Sequence, residues 1–348
     1  AVDEYQGLLR MSVASAANDH RLGANEAPPA IMSVFLGDEL EAVLEAIETG
    51  RDYHDKKKKL MSIGATVLPH IPKDTTDRNR TSPFAFTGNK FEFRSLGSSA
   101  SISGPNIILN TIVAEALEEY ADKLEKAKDF DKALSKLIHD EIVAHKRIVF
   151  NGNGYGEEWL KEAKKRGLLN LRTTVDALET FIEDKSIAVF EKHGVYNETE
   201  VRARYEILLE NYYKTINIEA LTLSSMVKNN IISAACAYEE RLADVVIKKE
   251  QALGAKGAAA EKDMLKNMSD LVASMKKRLE KLDSDIAKEE KMSEVYDLAV
   301  YHRDVVLADM DALREVVDEV ETLVPSDIWP YPTYSEILYS VRYQPDRK

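Results

Sequence analysis

The stretch DRNRTSPFAFTGNKFEFR, Asp77 to Arg94, decides how the first half of the chain is read. It opens with two arginines one residue apart, Arg78 and Arg80. It turns at Thr87-Gly88-Asn89 and closes on the alternating run Lys90-Phe91-Glu92-Phe93-Arg94. Side chains of an extended strand alternate between faces, so Lys90, Glu92 and Arg94 share one face and Phe91 and Phe93 the other. The apolar face anchors the strand. The opposite face sets two cations around one carboxylate, which suits an anionic substrate beside a metal ion. In that reading Glu92 is a hard oxygen ligand and Lys90 and Arg94 are phosphate or carboxylate clamps. The bland alternative is a solvated strand face with internal ion pairs, and short charged alternation leaves both readings open.

Composition sets the frame around that stretch. A chain of 348 residues has room for two or three compact units, and 44% apolar with 31% charged residues is a globular balance with ample core. A net charge of −13 excludes a general nucleic-acid or anionic-membrane surface, because binding to phosphates needs a basic footprint. No apolar run approaches the ~18 residues of a membrane span, and no signal peptide is evident. The single cysteine, Cys236 in the run IISAACAYEE, cannot form an internal disulfide; it reads as a packing residue in a reducing, cytoplasmic protein. The chain opens at Ala1, without methionine and inside a helical pattern, which reads as a cut in a longer protein.

Residues 1–17 place Leu8, Leu9, Met11 and Val13 among small residues and predict a helix ending at Asn18-Asp19-His20. In HRLGANEAPPAIMSVFLG, His20 to Gly37, Gly23 and Asn25 tolerate unusual backbone angles and Pro28-Pro29 forbids helix. Arg21 and Glu26 therefore fall on a constrained loop able to hold a charge over a cleft, or else on a plain surface turn with a local ion pair. Gly37 to about Ile63 predicts a helix, whose Lys56-Lys57-Lys58-Lys59 run is a solvated face. Residues 65–71 predict a short strand interrupted by Pro69. A helix from about Pro105 to Lys128 carries the stripe Ile108, Ile112, Ala116 and Leu117, and a second runs from about Asp131 to Val149. His145 lies four residues after Glu141, a spacing that suits a metal, but no further ligand stands nearby in sequence. NGNGYG, Asn151 to Gly156, has no strand before it and no lysine-serine after it, so it reads as a helix-to-helix turn rather than a phosphate loop.

Beyond Gly156 the pattern is almost wholly helical. Short helices end at Gly167 and Gly194, and Asn197 to about Gln251 predicts one very long helix. Leu265, Met268, Val272, Met275, Leu279, Leu282 and Ile286 form a heptad seam with its methionines in the core. Val295, Leu298, Val305, Ala312, Val316, Val320 and Leu323 continue the stripe on a third long helix. Three such helices, about 197–324, fold back as an antiparallel bundle. The tail from Asp327, DIWPYPTYSEILYSVRY, is irregular, with aromatics expected to dock on the first half.

HRLGANEAPPAI and DTTDRNRTSPFAFTGNKFEFRSLGSS, followed by a helix opening PNIILN, resemble the second half of the catalytic domain of glutamine synthetase. They are most similar to the large type III class of bacteria and some eukaryotic microbes. WLKEAKKRGLLNLRTTVDAL and DIWPYPTYSEIL are similar to that class's C-terminal region, so the resemblance spans essentially all of residues 1–348. It implies an α+β fold. Residues 1–150 would be the C-terminal part of a split-barrel catalytic domain, and 151–348 a helical C-terminal domain. It also implies roles for the charges already singled out. Arg21 matches an arginine contacting glutamate and the transferred phosphate, and Glu26 a flap glutamate that binds and deprotonates ammonium. Arg80, with Arg78 beside it, matches an arginine stabilising the phosphoryl group in transfer, and Lys90 stands with them toward nucleotide or phosphate. Glu92 matches a ligand of one of two divalent metals, and Arg94 an arginine holding the substrate carboxylate.

The implied reaction uses ATP and Mg²⁺ or Mn²⁺ to form γ-glutamyl phosphate from glutamate, which ammonia then converts to glutamine. Stacked hexameric rings are the implied homo-oligomer, with no nucleic acid or membrane involved. Two departures stand out. Pro83-Phe84-Ala85-Phe86 occupies the place of a further arginine in smaller members, and Lys90 stands where some members have an arginine with its bidentate fork. The remaining metal ligands and the N-terminal domain would lie upstream of Ala1, so the 348 residues alone are expected to be inactive. The alternatives are a non-catalytic relative with an assembly or regulatory role and a purely structural helical scaffold.

Overall fold

The computed structural model describes residues 1–24, 27–53, 60–61, 71–72 and 82–340. Glu26, Arg78, Arg80, the Lys56–Lys59 run, most of the strand expected at 65–71 and the end of the tail lie outside the described residues. The chain forms two compact units, Ala1–Leu209 and Glu210–Lys348.

The first unit mixes helices with very short strands. α1 (Gln6–Met11) and α2 (Ala16–Arg21) replace the single helix expected over 1–17, because Ser15 takes extended backbone and its side chain accepts from the Asn18 N–H, starting a new helix. After β1 (Val34–Phe35), α3 (Asp38–Thr49) stops well short of Ile63: Gly50 adopts a left-handed φ of 66°, a conformation that ends helices. β2 (Leu60–Met61) and β3 (Ile71–Pro72) pair antiparallel. β4 (Phe84–Phe86) and β5 (Phe91–Phe93) form a hairpin, with Gly88 at φ 102° in its turn and Ala85 opposite Glu92. β1 lies parallel to β4 on one edge and bonds on its other edge to the chain after the next helices, where the Phe150 N–H donates to the Val34 carbonyl at 2.9 Å.

α4 (Ser103–Glu125) buries Ile108 and Ile112 but leaves Leu117 exposed, so the expected stripe reaches the core only over the first half of the helix. α5 (Phe130–His145) ends in a tight turn that leads to Asn151. There the Asn151 side chain accepts from the backbone of Leu36 and Gly37, so NGNGYG serves as a structural turn. α6 (Glu157–Lys165) stacks Trp159 on Phe150 with ring centres 3.8 Å apart. It completes a core of Ile31, Val34, Ile148, Ala163 and Leu168. α7 (Thr174–Glu179) and α8 (Asp184–Lys192) belong to the same unit, which therefore packs as one body well past residue 150.

Every regular element among the described residues of the second unit is a helix. α9 (Glu198–Met226) contains the division between units and passes through a π-turn, Val227–Ile231, into α10 (Ile232–Leu253). α11 (Ala259–Ile286) packs against both α10 and the later α13 (Leu307–Leu323), which α12 (Val295–Tyr301) precedes; α14 (Tyr334–Leu338) follows. Cross-helix partners descend on one helix as they ascend on the other, as antiparallel packing requires. Asn217 bonds Glu289, Ser224 bonds Asp283, and Lys249 pairs with Glu261. Met268 and Met275 are fully buried in the seam.

One register differs from expectation. Val305 and Ala312 are not the buried positions; Leu298 is followed by Val306, Leu313 and Val320. A second π-turn, His302–Val306, inserts one residue beyond the α-helical count, so the stripe resumes eight residues after Leu298 rather than seven. Cys236, expected to pack, is exposed.

Candidate functional site

β5 presents the predicted trio on one face. Lys90 Nζ lies 3.3 Å from Glu92 Oε1, and Arg94 donates from Nε and Nη2 to Glu92 Oε2 at 3.2 and 3.0 Å. The Arg94 guanidinium, with Lys90 adding to it, holds the Glu92 carboxyl below its usual range. The internal ion-paired arrangement is thus the one observed. Phe91 and Phe93 lean on Phe84 at 5.5 and 6.0 Å, although Phe91 is half exposed. A divalent cation does not fit this group as it stands: both Glu92 oxygens face cations, and no second carboxylate or histidine joins Glu92 among the described residues.

Arg21 reaches the end of the same strand. Its Nη1 donates to the carbonyl of Ser95, next to Arg94, and to Asn18 Oδ1. Asn18, buried in α2, donates through Nδ2 to Val13 at 2.7 Å and to the same Ser95 carbonyl at 2.9 Å. The structure therefore brings Arg21, Lys90, Glu92 and Arg94 to β5 and its exit, while Glu26, Arg78 and Arg80 lie outside the described residues.

A neighbouring network was not singled out in the sequence. Arg10, 1% exposed, donates from Nη2 to Asp19 Oδ1 at 2.9 Å and from Nε to the Leu171 carbonyl at 2.9 Å. Asp19 also accepts from Thr174, through the backbone N–H at 2.6 Å and the hydroxyl at 3.0 Å. Burial works against both charges, raising the Asp19 carboxyl and lowering the Arg10 guanidinium from their ordinary values, and their mutual contact opposes it. The available signal was a lone arginine inside the buried run Leu8-Leu9-Arg10-Met11, since a charge on an apolar face implies a partner.

Other charged clusters in this unit are tied internally. Glu115, Glu118 and His193 come together between α4 and α8, but Lys192 and His193 each lie 2.7 Å from Glu115 Oε2. Burial acts to raise the Glu115 carboxyl, and those two hydrogen bonds outweigh it and hold it low. His145 contacts Glu141 at 3.4 Å and Asp3 at 2.8 Å, and Arg147 also engages Asp3. Asp3, His145 and Arg147 border a cleft of about 290 Å³ that Lys185 and Thr180 also line. Among the described residues no helix is long and apolar enough to cross a membrane.

Residues 133–250 match the family described as the glutamine synthetase C-terminal domain. The chain is 45% identical to a glutamine synthetase of Butyrivibrio fibrisolvens, over 98% of its own length and 49% of that protein's. It is 39% identical to the type-3 glutamine synthetase of Dictyostelium discoideum, over 97% and 47% of the two chains. Against a glutamine synthetase of Bacteroides fragilis the identity is 36%, over 97% and 48%. The chain spans about half the length of the curated relatives it matches. Along nearly its whole length the chain is thus similar to glutamine synthetases, and its residues 133–250 match that family's C-terminal domain.

Proposed function

We propose that this chain is the C-terminal part of a type III glutamine synthetase, in which β1, β4 and β5 belong to a split catalytic barrel and the long helices serve assembly. Similarity to three glutamine synthetases over 97% or more of the chain is the observation that carries this reading. The reaction joins ammonia to glutamate at the expense of ATP, through γ-glutamyl phosphate. Arg94 would hold a substrate carboxylate and Arg21 the substrate and transferred phosphate, each through planar N–H donors that match an oxyanion. Glu26 would bind ammonium and take up its proton, Arg78 and Arg80 would spread charge on the phosphoryl group, and Lys90 would add a point charge. A divalent cation would supply further charge neutralisation. Its ligands other than Glu92 would come from the rest of a longer protein, and Glu92 would first have to exchange its present cations for it.

The full-length protein containing this chain is expected to form glutamine from glutamate, ATP and ammonia, and Glu92→Ala to lower kcat by about a hundredfold or more. The 348 residues alone are expected to form none. Glutamine formation unchanged by Glu92→Ala would refute the assignment of Glu92. A full-length protein that assembles but makes no glutamine would leave the second reading, a non-catalytic assembly or regulatory relative, which the internal pairing of Lys90, Glu92 and Arg94 favours.

A further inference from the structure

We propose that Asp19 is a positioning residue of the candidate site, and that the segment Leu171–Thr174 sets the placement of Arg21 through it. The inference rests on the reading of Arg21 as a substrate contact. α2 is only six residues long, too short to hold its own orientation, and it carries three neighbouring groups with different attachments. Asn18 and Arg21 face the exit of β5 through the Ser95 carbonyl. Asp19 faces the other way, onto Arg10 and Thr174. The helix is thus fixed between the strand bearing Glu92 and Arg94 on one side and the start of α7 on the other.

The second attachment is the more demanding. Asp19 accepts three hydrogen bonds, and Arg10 in turn donates to the carbonyls of Leu171 and Arg172, so the pair reads the backbone path of 171–174 rather than a single side chain. Thr173 fixes that path locally by accepting from the Asp176 N–H as the cap of α7. A buried charge pair of this kind tolerates little displacement, because each partner depends on the other for its charge. Residues 171–174 lie inside the matched C-terminal domain, 133–250. That domain would therefore shape the glutamate site without entering it.

The test uses the full-length protein. Thr174→Val removes one donated hydrogen bond while keeping shape and the backbone N–H, and Thr174→Ser restores the hydroxyl. Thr174→Val is expected to lower kcat/KM for glutamate by about tenfold, and Thr174→Ser to recover most of the loss. Asp19→Asn should act in the same sense and more strongly; should it fail to assemble, the Thr174 pair decides alone by the same criterion. Thr174→Val kinetics equal to the unsubstituted enzyme's, or a loss that Thr174→Ser does not recover, would overturn the proposal while leaving the synthetase reading intact. An unsubstituted full-length protein that makes no glutamine would overturn both.

Discussion

A buried amide such as Asn18 has to be matched group by group, because an unmet hydrogen bond costs more inside a protein than in water. Its Nδ2 serves two carbonyls, Val13 and Ser95, and its Oδ1 faces Arg21. Asn18→Ala is expected to destabilise the chain by about 2 kcal/mol, and Asn18→Asp by more, since a carboxylate would then face two carbonyl oxygens. Urea denaturation of the two variants checks the order, and Asp milder than Ala would contradict it. At this scale the sequence was legible where a pattern was local. The alternation from Lys90 to Arg94 put three charges on one face, and the structure joins them. The ties of Arg10 to Leu171 and Arg172 were not legible, because both acceptors are backbone carbonyls some 160 positions away.

Elements followed their terminators more faithfully than their stripes. Gly50, Gly167 and Gly254 each end a helix at positive φ, whereas the run from Gly37 toward Ile63 looked continuous only because its apolar spacing was counted past Gly50. The π-turn His302–Val306 shows why spacing alone misleads: a heptad count cannot see one inserted residue. Deleting Asp304 from that turn should return the helix to ordinary α winding and cost less than about 2 kcal/mol. Deleting Glu315 should cost several, because it rotates Val316, Val317 and Val320 about 100° off the core. Thermal unfolding of the two deletions compares them, and equal losses would rule the idea out.

Across the whole molecule the two units are stabilised in different ways. In the second, Lys281 serves two carboxylates, Asp285 at 2.9 Å and Asp309 across to α13. Lys288 and Lys281 hold the Asp285 carboxyl far below its usual range, whereas burial beside Asp285 raises that of Asp309. Lys281→Met is expected to cost about 1 kcal/mol at pH 7, a value reduced by the lysine's exposure. The signs fix the pH course. The cost should begin to shrink above the ordinary carboxylate range, as Asp309 takes up its proton, and should vanish only well below pH ~4, where Asp285 follows. Urea unfolding from pH 7 to pH 3, followed by helical ellipticity, tests this, and a cost that grows on acidification would refute it. The helical class of this unit was legible because its periodicity is long and repeated; the extent of the first unit was not, because contacts such as Gln6 to Leu169 carry no periodic signal. The same contrast governs the order of events in folding. Each helical hairpin of the second unit joins stretches that follow one another in the chain, so it can form as soon as its second helix exists. The clamp on α2 closes a loop from Arg10 and Asp19 to Thr174 and cannot form until that residue has been made, which places the ordering of Arg21 well after α2 itself has been made.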